Sequence, residues 1–235
     1  MIDFSLIETM RWEPGTGIVR LRLHLARLKR SARRLGFAGA EQAEQRLAEA
    51  VAEILSPPVP AGRLPLEAGD LTAATSPRSS SPLRVRLTLS PSGEIAVTTA
   101  PFTPLPVETV WRVAIAANRL DSADKLLRHK TTRREIYEAA RAEYPTADAD
   151  EVLLLNEKSE PCEGTITSIF LDDGTGVLKT PPISCGLLAG VLRTELICFR
   201  RARVQRLNLA DVKNGRLYIG NSLRGLIKAE LKRED

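Results

Sequence analysis

The hydrophobic pattern changes period several times along the chain, and each change marks an element. Residues 5–12 read as a short strand, and Glu13-Pro14-Gly15-Thr16-Gly17 has the composition of a hairpin turn. A second strand is expected over 18–23. It runs into a helix where Leu25, Leu28, Ala32 and Leu35 recur at helical spacing and Gly36 supplies the C-cap. The same period returns over 41–55, with Leu47, Val51 and Ile54 on one face, until Ser56-Pro57-Pro58-Val59-Pro60 stops it. Residues 61–82, rich in Pro, Ser, Ala and Gly, read as a surface loop. Alternation then resumes over 83–90 (Val85, Leu87, Leu89), and Pro91-Ser92-Gly93 turns the chain into Ile95, Val97 and Thr99 as a hairpin.

Pro101, Pro104 and Pro106 crowd one short stretch. They mark a linker over 103–108 between a smaller N-terminal unit, 1–102, and a larger C-terminal one, 109–235. Beyond it the pattern predicts a strand over 107–116, a polar stretch, and a helix ending near Tyr144. A strand over 151–155, a turn at 157–160 and a strand pair over 162–171 and 177–179 follow. A helix over 187–201, strands over 203–207 and 216–219, and a terminal helix over 223–231 complete the chain. The mixture implies an α+β fold in two units, without internal repeats.

Composition narrows the function classes. Of 235 residues, 43% are hydrophobic and 27% charged, which supports a packed core and argues against a disordered chain. No window approaches the roughly 18 apolar residues of a membrane span, and Asp3 and Glu8 are out of place in a signal peptide. Three widely spaced cysteines argue against a disulfide framework or zinc site and make the cytoplasm the default. Two histidines, His24 and His129, weigh against a metal centre or a Ser-His-Asp triad. A net charge of +5 with 4% aromatics suits anionic small molecules at least as well as nucleic acid, for which no recognition module is present.

Four segments carry candidate chemistry. In HLARL (24–28), Arg27 lies at the edge of the apolar helix face, though on pattern alone a solvated basic face with Lys29, Arg30, Arg33 and Arg34 is the commoner explanation. In RHKTTRR (128–134), neighbouring cations lower the pKa of Lys130 and suit a lysine that condenses with carbonyls, unless the run is simply surface charge. In CEGTITSIF (162–170), Glu163 sits in an apolar strand and needs a cationic partner if buried, such as a protonated pyridine nitrogen; an exposed strand start is the alternative. Finally, Gly186 and Gly190 precede and open a helix whose backbone N–H groups suit a phosphate. Asn221 and Ser222 either add donors there or cap the last helix.

In this order and spacing the segments resemble the fold-type IV pyridoxal-phosphate (PLP) enzymes, the class IV aminotransferase family. LIETMRW, HLARL, RHKTTRR, EPCEGTITSIF, TPPISCGLLAGVLR and GNSLRGL are closest to its 4-amino-4-deoxychorismate lyase branch. The resemblance runs from about Leu6 to Leu226 and implies two α/β-type domains, the second a compact open barrel-like unit. It makes Lys130 the lysine that bonds the cofactor and moves the substrate proton, and Glu163 the partner of the pyridine nitrogen. Arg27, the backbone of Val191 and Leu192, and Asn221 and Ser222 become the phosphate contacts. Arg119, Arg134 and Thr165 are the substrate-side candidates. Ser168 and Arg133 stand where relatives often carry Asn, and the chain starts later than its relatives, without the strands usual before LIETMRW. The activity implied is elimination of pyruvate to leave 4-aminobenzoate, a folate precursor, by a homodimer; the alternative is an aminotransferase on branched-chain or D-amino acids. A cofactor-free binding protein of the same fold is a third reading, against which Lys130 and Glu163 both stand.

Overall fold

The computed structural model describes residues 2–55 and 81–232. The first sheet is antiparallel, with strand order β2-β1-β3-β4: β1 is Leu6–Glu13, β2 Gly17–Ile18, β3 Leu83–Leu89 and β4 Ile95–Pro101. Alternation drives it. Leu83, Val85, Leu87 and Leu89 point into the core while Arg84 and Arg86 face outward. Helices α1 (Leu21–Leu35) and α2 (Ala43–Leu55) cover the sheet, so that Leu25, Leu28, Ala32 and Leu47 meet Met10, Trp12, Val85 and Leu87. Gly36 closes α1 with φ 75° and an N–H bonded to the Ala32 carbonyl.

The expected strand over 18–23 is cut short. Only Gly17 and Ile18 pair with β1, and Arg20 takes a left-handed conformation (φ 60°) that turns the chain into α1 at Leu21, whose side chain joins the helical stripe on the core. Residues 61–80 of the expected loop lie outside the described residues, as does the proline run that was to stop α2.

The second sheet has strand order β10-β9-β8-β11-β12-β5-β6-β7. Its members are β5 (Val110–Leu120), β6 (Glu151–Asn156), β7 (Pro161–Gly164), β8 (Ser168–Asp172), β9 (Leu178–Thr180), β10 (Ala202–Val204), β11 (Arg216–Asn221) and β12 (Gly225–Leu231). Glu163 of β7 also pairs with Ser168 of β8, which closes β8-β11-β12-β5-β6-β7 into a ring, the barrel-like unit the resemblance implied. Strand β6 is buried on both faces: Leu153 and Leu155 pack with Ile169, Ile219 and Ile227, while Val152 and Leu154 pack with Ala116, Leu120 and Cys162. Helices α3 (Glu135–Ala142), α4 (Val191–Cys198) and α5 (Leu209–Asn214) attach to this sheet.

The terminal helix expected over 223–231 is instead the strand β12. Leu, Lys, Ala and Glu favour helix locally, but Ile227 and Ala229 are buried and Leu226, Lys228 and Glu230 exposed, a period of two that a place between β11 and β5 enforces. The expected helix over 187–201 begins only at Val191, because Gly186 is left-handed (φ 87°) and Gly190 caps the helix in extended geometry. The single strand expected over 162–171 is two strands joined by a turn. Glu151, 1% exposed, holds that turn: its carboxylate accepts from the backbone N–H groups of Val152, Thr165 and Ile166 and from the hydroxyls of Thr165 and Thr167. Gly164 is required beside it, since a Cβ there would meet Thr167 Oγ1 at 2.4 Å.

Replacing Glu151 by Gln turns an amide donor toward these donors and should cost about 2–3 kcal/mol, read as a lower urea midpoint with an unchanged slope.

Candidate active site

A cavity of about 400 Å³ opens where β1 and α1 meet the second sheet, a size ordinary for a small-ligand site. Lys130 lines it and is fixed there by its own backbone. Its carbonyl accepts from Ile7 N–H at 2.9 Å, and Thr132 N–H donates to the Ser5 carbonyl, so the segment before α3 adds to β1. Burial lowers the Lys130 pKa to about 8, with Arg27 and Arg134 pushing the same way and Glu8 and Glu163 opposing. A substantial neutral fraction therefore exists near pH 8.

Glu163 is 5% exposed on the same cavity. Its Oε1 accepts from Tyr137 Oη at 2.7 Å and its Oε2 from Leu188 N–H at 3.2 Å. Burial raises its pKa to about 7 despite these bonds and the attraction of Lys130 and Arg134. A carboxyl so placed is ready for a cation that the protein itself does not press against it.

His24, Arg27 and Ser31 form a buried polar stripe along α1, and the first two line the cavity. Arg27 is bidentate to Glu8 of β1, Nε to Oε1 at 2.8 Å and Nη2 to Oε2 at 2.5 Å, and Nη1 reaches the Ala189 carbonyl at 3.5 Å. One N–H on each of Nη1 and Nη2 is left over by these bonds, and Arg27 lines the cavity. His24 Nδ1 lies 2.6 Å from Glu8 Oε2 and its Nε2 2.8 Å from Ser222 Oγ. Burial alone would raise the Glu8 pKa, but Arg27 and His24 outweigh it and hold Glu8 at about 2. The Glu8–His24–Ser222 chain has the bonding order of a nucleophilic triad, which two distant histidines had argued against; folding supplies the proximity that sequence distance hides.

Val191 and Leu192 are buried against the cavity at the start of α4. Gly190, the N-cap, admits no larger residue without disturbing Ser168, whose Oγ a Cβ would meet at 2.5 Å. Asn221 also lines the cavity, but its amide is committed: Oδ1 accepts from Leu223 and Arg224 N–H, and Nδ2 donates to the Ile166 carbonyl. It shapes the β11–β12 turn that presents Ser222.

Among the substrate-side candidates, Arg134 and Thr165 line the cavity. Arg134 donates to the Thr165 carbonyl at 2.7 Å and stacks over Tyr137, while the Thr165 hydroxyl is spent on Glu151. The structure does not bring Arg119 to the cavity. It is exposed on β5 and its guanidinium folds back onto the carbonyls of Ala116 and Ala117. Tyr137, Glu8, His24, Arg86 and Arg224 were not singled out from sequence. For Glu8 a signal existed: it occupies the inward register of β1 between Leu6 and Met10, where a carboxylate demands a partner. Among the described residues no cluster of His, Cys, Asp and Glu could hold a metal ion, and no helix is long and apolar enough to cross a membrane.

Comparisons with known proteins bear on the family and the fold. A crystal structure of a candidate amino-acid aminotransferase from Mesorhizobium loti is 46% identical, covering 98% of this chain and 100% of that one, with a TM-score of 0.82. The 4-amino-4-deoxychorismate lyase of Pseudomonas aeruginosa matches at 22% identity over 98% of this chain and 84% of that one (TM-score 0.72). The branched-chain amino acid aminotransferase of Thermobaculum terrenum, in its PLP-bound holo form, matches at 15% over 97% and 77% (TM-score 0.73). These last two show the shared fold. A search of curated proteins returned no match.

The frustration at Glu163 has a measurable consequence. A carboxyl whose folded pKa is raised from 4.5 to about 7 costs stability progressively as the pH rises through that interval. Glu163→Gln should therefore stabilise the cofactor-free protein at pH 8, by up to about 3 kcal/mol, and not at pH 4, as urea unfolding at both values would show. Residues 5–230 match the amino-transferase class IV family, and the chain belongs to it.

Proposed function

We propose that this chain is a PLP-dependent lyase that eliminates pyruvate from 4-amino-4-deoxychorismate and leaves 4-aminobenzoate. The observation that carries the PLP reading is Lys130, shifted toward neutrality, in one cavity with a buried carboxyl awaiting a cation and an anion cradle. The cradle is Arg27, Ser222 and the N-terminus of α4, where backbone N–H groups and the helix dipole favour a phosphate. The residues present fit the cofactor's three polar ends.

Bound PLP supplies an aldehyde that condenses with amines and a protonated ring that draws electron density from the substrate α-carbon. The chain's residues do the rest. Lys130 Nζ would hold the aldehyde end of the cofactor and, as a neutral amine in the same cavity, is the group placed to take the substrate α-proton and deliver it elsewhere on the substrate. Glu163, kept in place by Tyr137 and the Leu188 N–H, holds the proton on the ring nitrogen. Arg27, locked by Glu8, holds the phosphate end so that the ring cannot slide along the cavity.

The lyase reading is supported by the cavity's cationic lining: Arg86, Arg133, Arg134 and Arg224 lie around it, suited to a substrate with two carboxylates. The 46% identity to a candidate amino-acid aminotransferase favours the second reading, amino transfer to a keto acid through the same lysine. A homodimer is carried into this proposal from the family resemblance.

Borohydride reduction of the PLP-loaded protein should leave a pyridoxyl label on the peptide bearing Lys130, absent from Lys130→Ala; an unlabelled wild-type peptide removes the PLP reading. Pyruvate released from 4-amino-4-deoxychorismate without an added keto acid decides for the lyase. Keto-acid-dependent amino transfer with no pyruvate decides for the second reading.

A further inference from the structure

Hydrogen-bond direction in the Glu8–His24–Ser222 chain is fixed at one end and free at the other. Glu8 is a carboxylate at any working pH and only accepts, so His24 Nδ1 carries a proton and donates to Oε2. Nε2, 2.8 Å from Ser222 Oγ, then has two states. As a bare nitrogen it accepts the Ser222 hydroxyl proton, and Ser222 shows the cavity only lone pairs. As N–H it donates to Oγ, and the hydroxyl proton is freed toward the cavity. The first state repels an anion; the second binds one.

The groups around the ring set the balance. Glu8 of β1 favours the imidazolium, while Arg27 on α1 and Lys130 from the segment before α3 disfavour it. Arg20, which donates to the Ser222 carbonyl, has its own charge paired with Glu195 of α4. Burial and the two facing cations lower the His24 pKa below its ordinary value, so without ligand the ring is neutral at pH 7 and above. A phosphate between Arg27, Ser222 and the start of α4 reverses the sign of the local field and calls for a donor.

We propose that His24 takes up a proton from solvent when the phosphate of a pyridoxal-type ligand binds, and that this turns the Ser222 hydroxyl from His24 onto the phosphate. The inference rests on the cofactor reading above and adds a positioning residue to it. No covalent bond other than Nε2–H forms, and the Ser222 O–H only reorients. By linkage, affinity falls with rising pH, approaching tenfold per unit while the free ring is neutral and the bound ring charged.

His24 and His129 are the chain's two histidines, so protein labelled with ¹⁵N in histidine shows two rings, and His129→Gln tells them apart. The probe is pyridoxine 5′-phosphate, whose alcohol cannot condense with Lys130, added at about pH 8. The expected result is that binding moves the His24 Nε2 resonance from the position of a bare nitrogen to that of a protonated one. A bare Nε2 in the bound complex overturns the relay and leaves the cofactor reading standing. Failure of the probe to bind at all overturns both. His24→Gln, which cannot titrate, should make the fall of affinity above pH 7 shallower than in the wild type, leaving the share that Lys130 and Glu163 contribute; an unchanged slope overturns the relay by a second route.

Discussion

The carboxylate of Glu8 is the point on which the site depends. It sits 2% exposed in the inward register of β1, where burial alone would neutralise it, and it stays charged because Arg27 grips both its oxygens and His24 adds a third bond. The same contacts fix the two cavity-facing side chains of α1 against the strand, and through His24 they reach Ser222 on the far sheet. Removing one partner from such a cluster leaves an uncompensated buried charge, at a cost of roughly 3–5 kcal/mol. Arg27 is thus presented to a ligand already oriented and largely desolvated, so that little ordering remains when an anion arrives.

Three buried glutamates show how environment divides one chemistry into three roles. Glu8 meets cations and is held near 2. Glu151 meets N–H and O–H donors and fastens the turn that closes the barrel between β7 and β8. Glu163 meets a phenol and one backbone N–H, too little for a full charge, and rises to about 7. The first two are satisfied within the protein. The third is left incomplete, and it lines the same cavity as Lys130. A buried carboxyl left short of partners, in one cavity with a buried lysine, marks a site that a ligand completes.

Much of the architecture was legible because it follows from period and punctuation. The alternation of Val85, Leu87 and Leu89, the helical stripe from Leu25 to Leu35 and the cap at Gly36 all reappear in the structure. What was misread depends on position in the tertiary structure. The segment at the end of the chain has helix-forming residues but lies between two strands, and pairing decided its form. Lys130, Glu163 and Arg27 stood out by residue type and order, and the fold brings them to one cavity. Glu8, His24 and Tyr137 did not stand out, since their importance comes from partners 16 to 198 positions away, at separations no local pattern records. Arg119 went the other way: a basic residue near the right segment, turned outward by the register of β5 and bonded to its own backbone.

The geometry of the Glu8 cluster, rather than its charge, positions Arg27 for a ligand, and Glu8→Asp separates the two. Aspartate keeps the buried charge that offsets Arg27, so the fold is retained by circular dichroism, but its carboxylate is withdrawn by one methylene and no longer holds Arg27 and His24 in their wild-type positions. The measurement is the affinity of the protein for PLP, followed by the visible absorbance of the bound cofactor. The structure predicts a loss of roughly tenfold or more, a cost of at least about 1.4 kcal/mol. Wild-type affinity in the aspartate variant would show that Arg27 does not need the Glu8 geometry to be positioned, contradicting the dependence of the site on that contact.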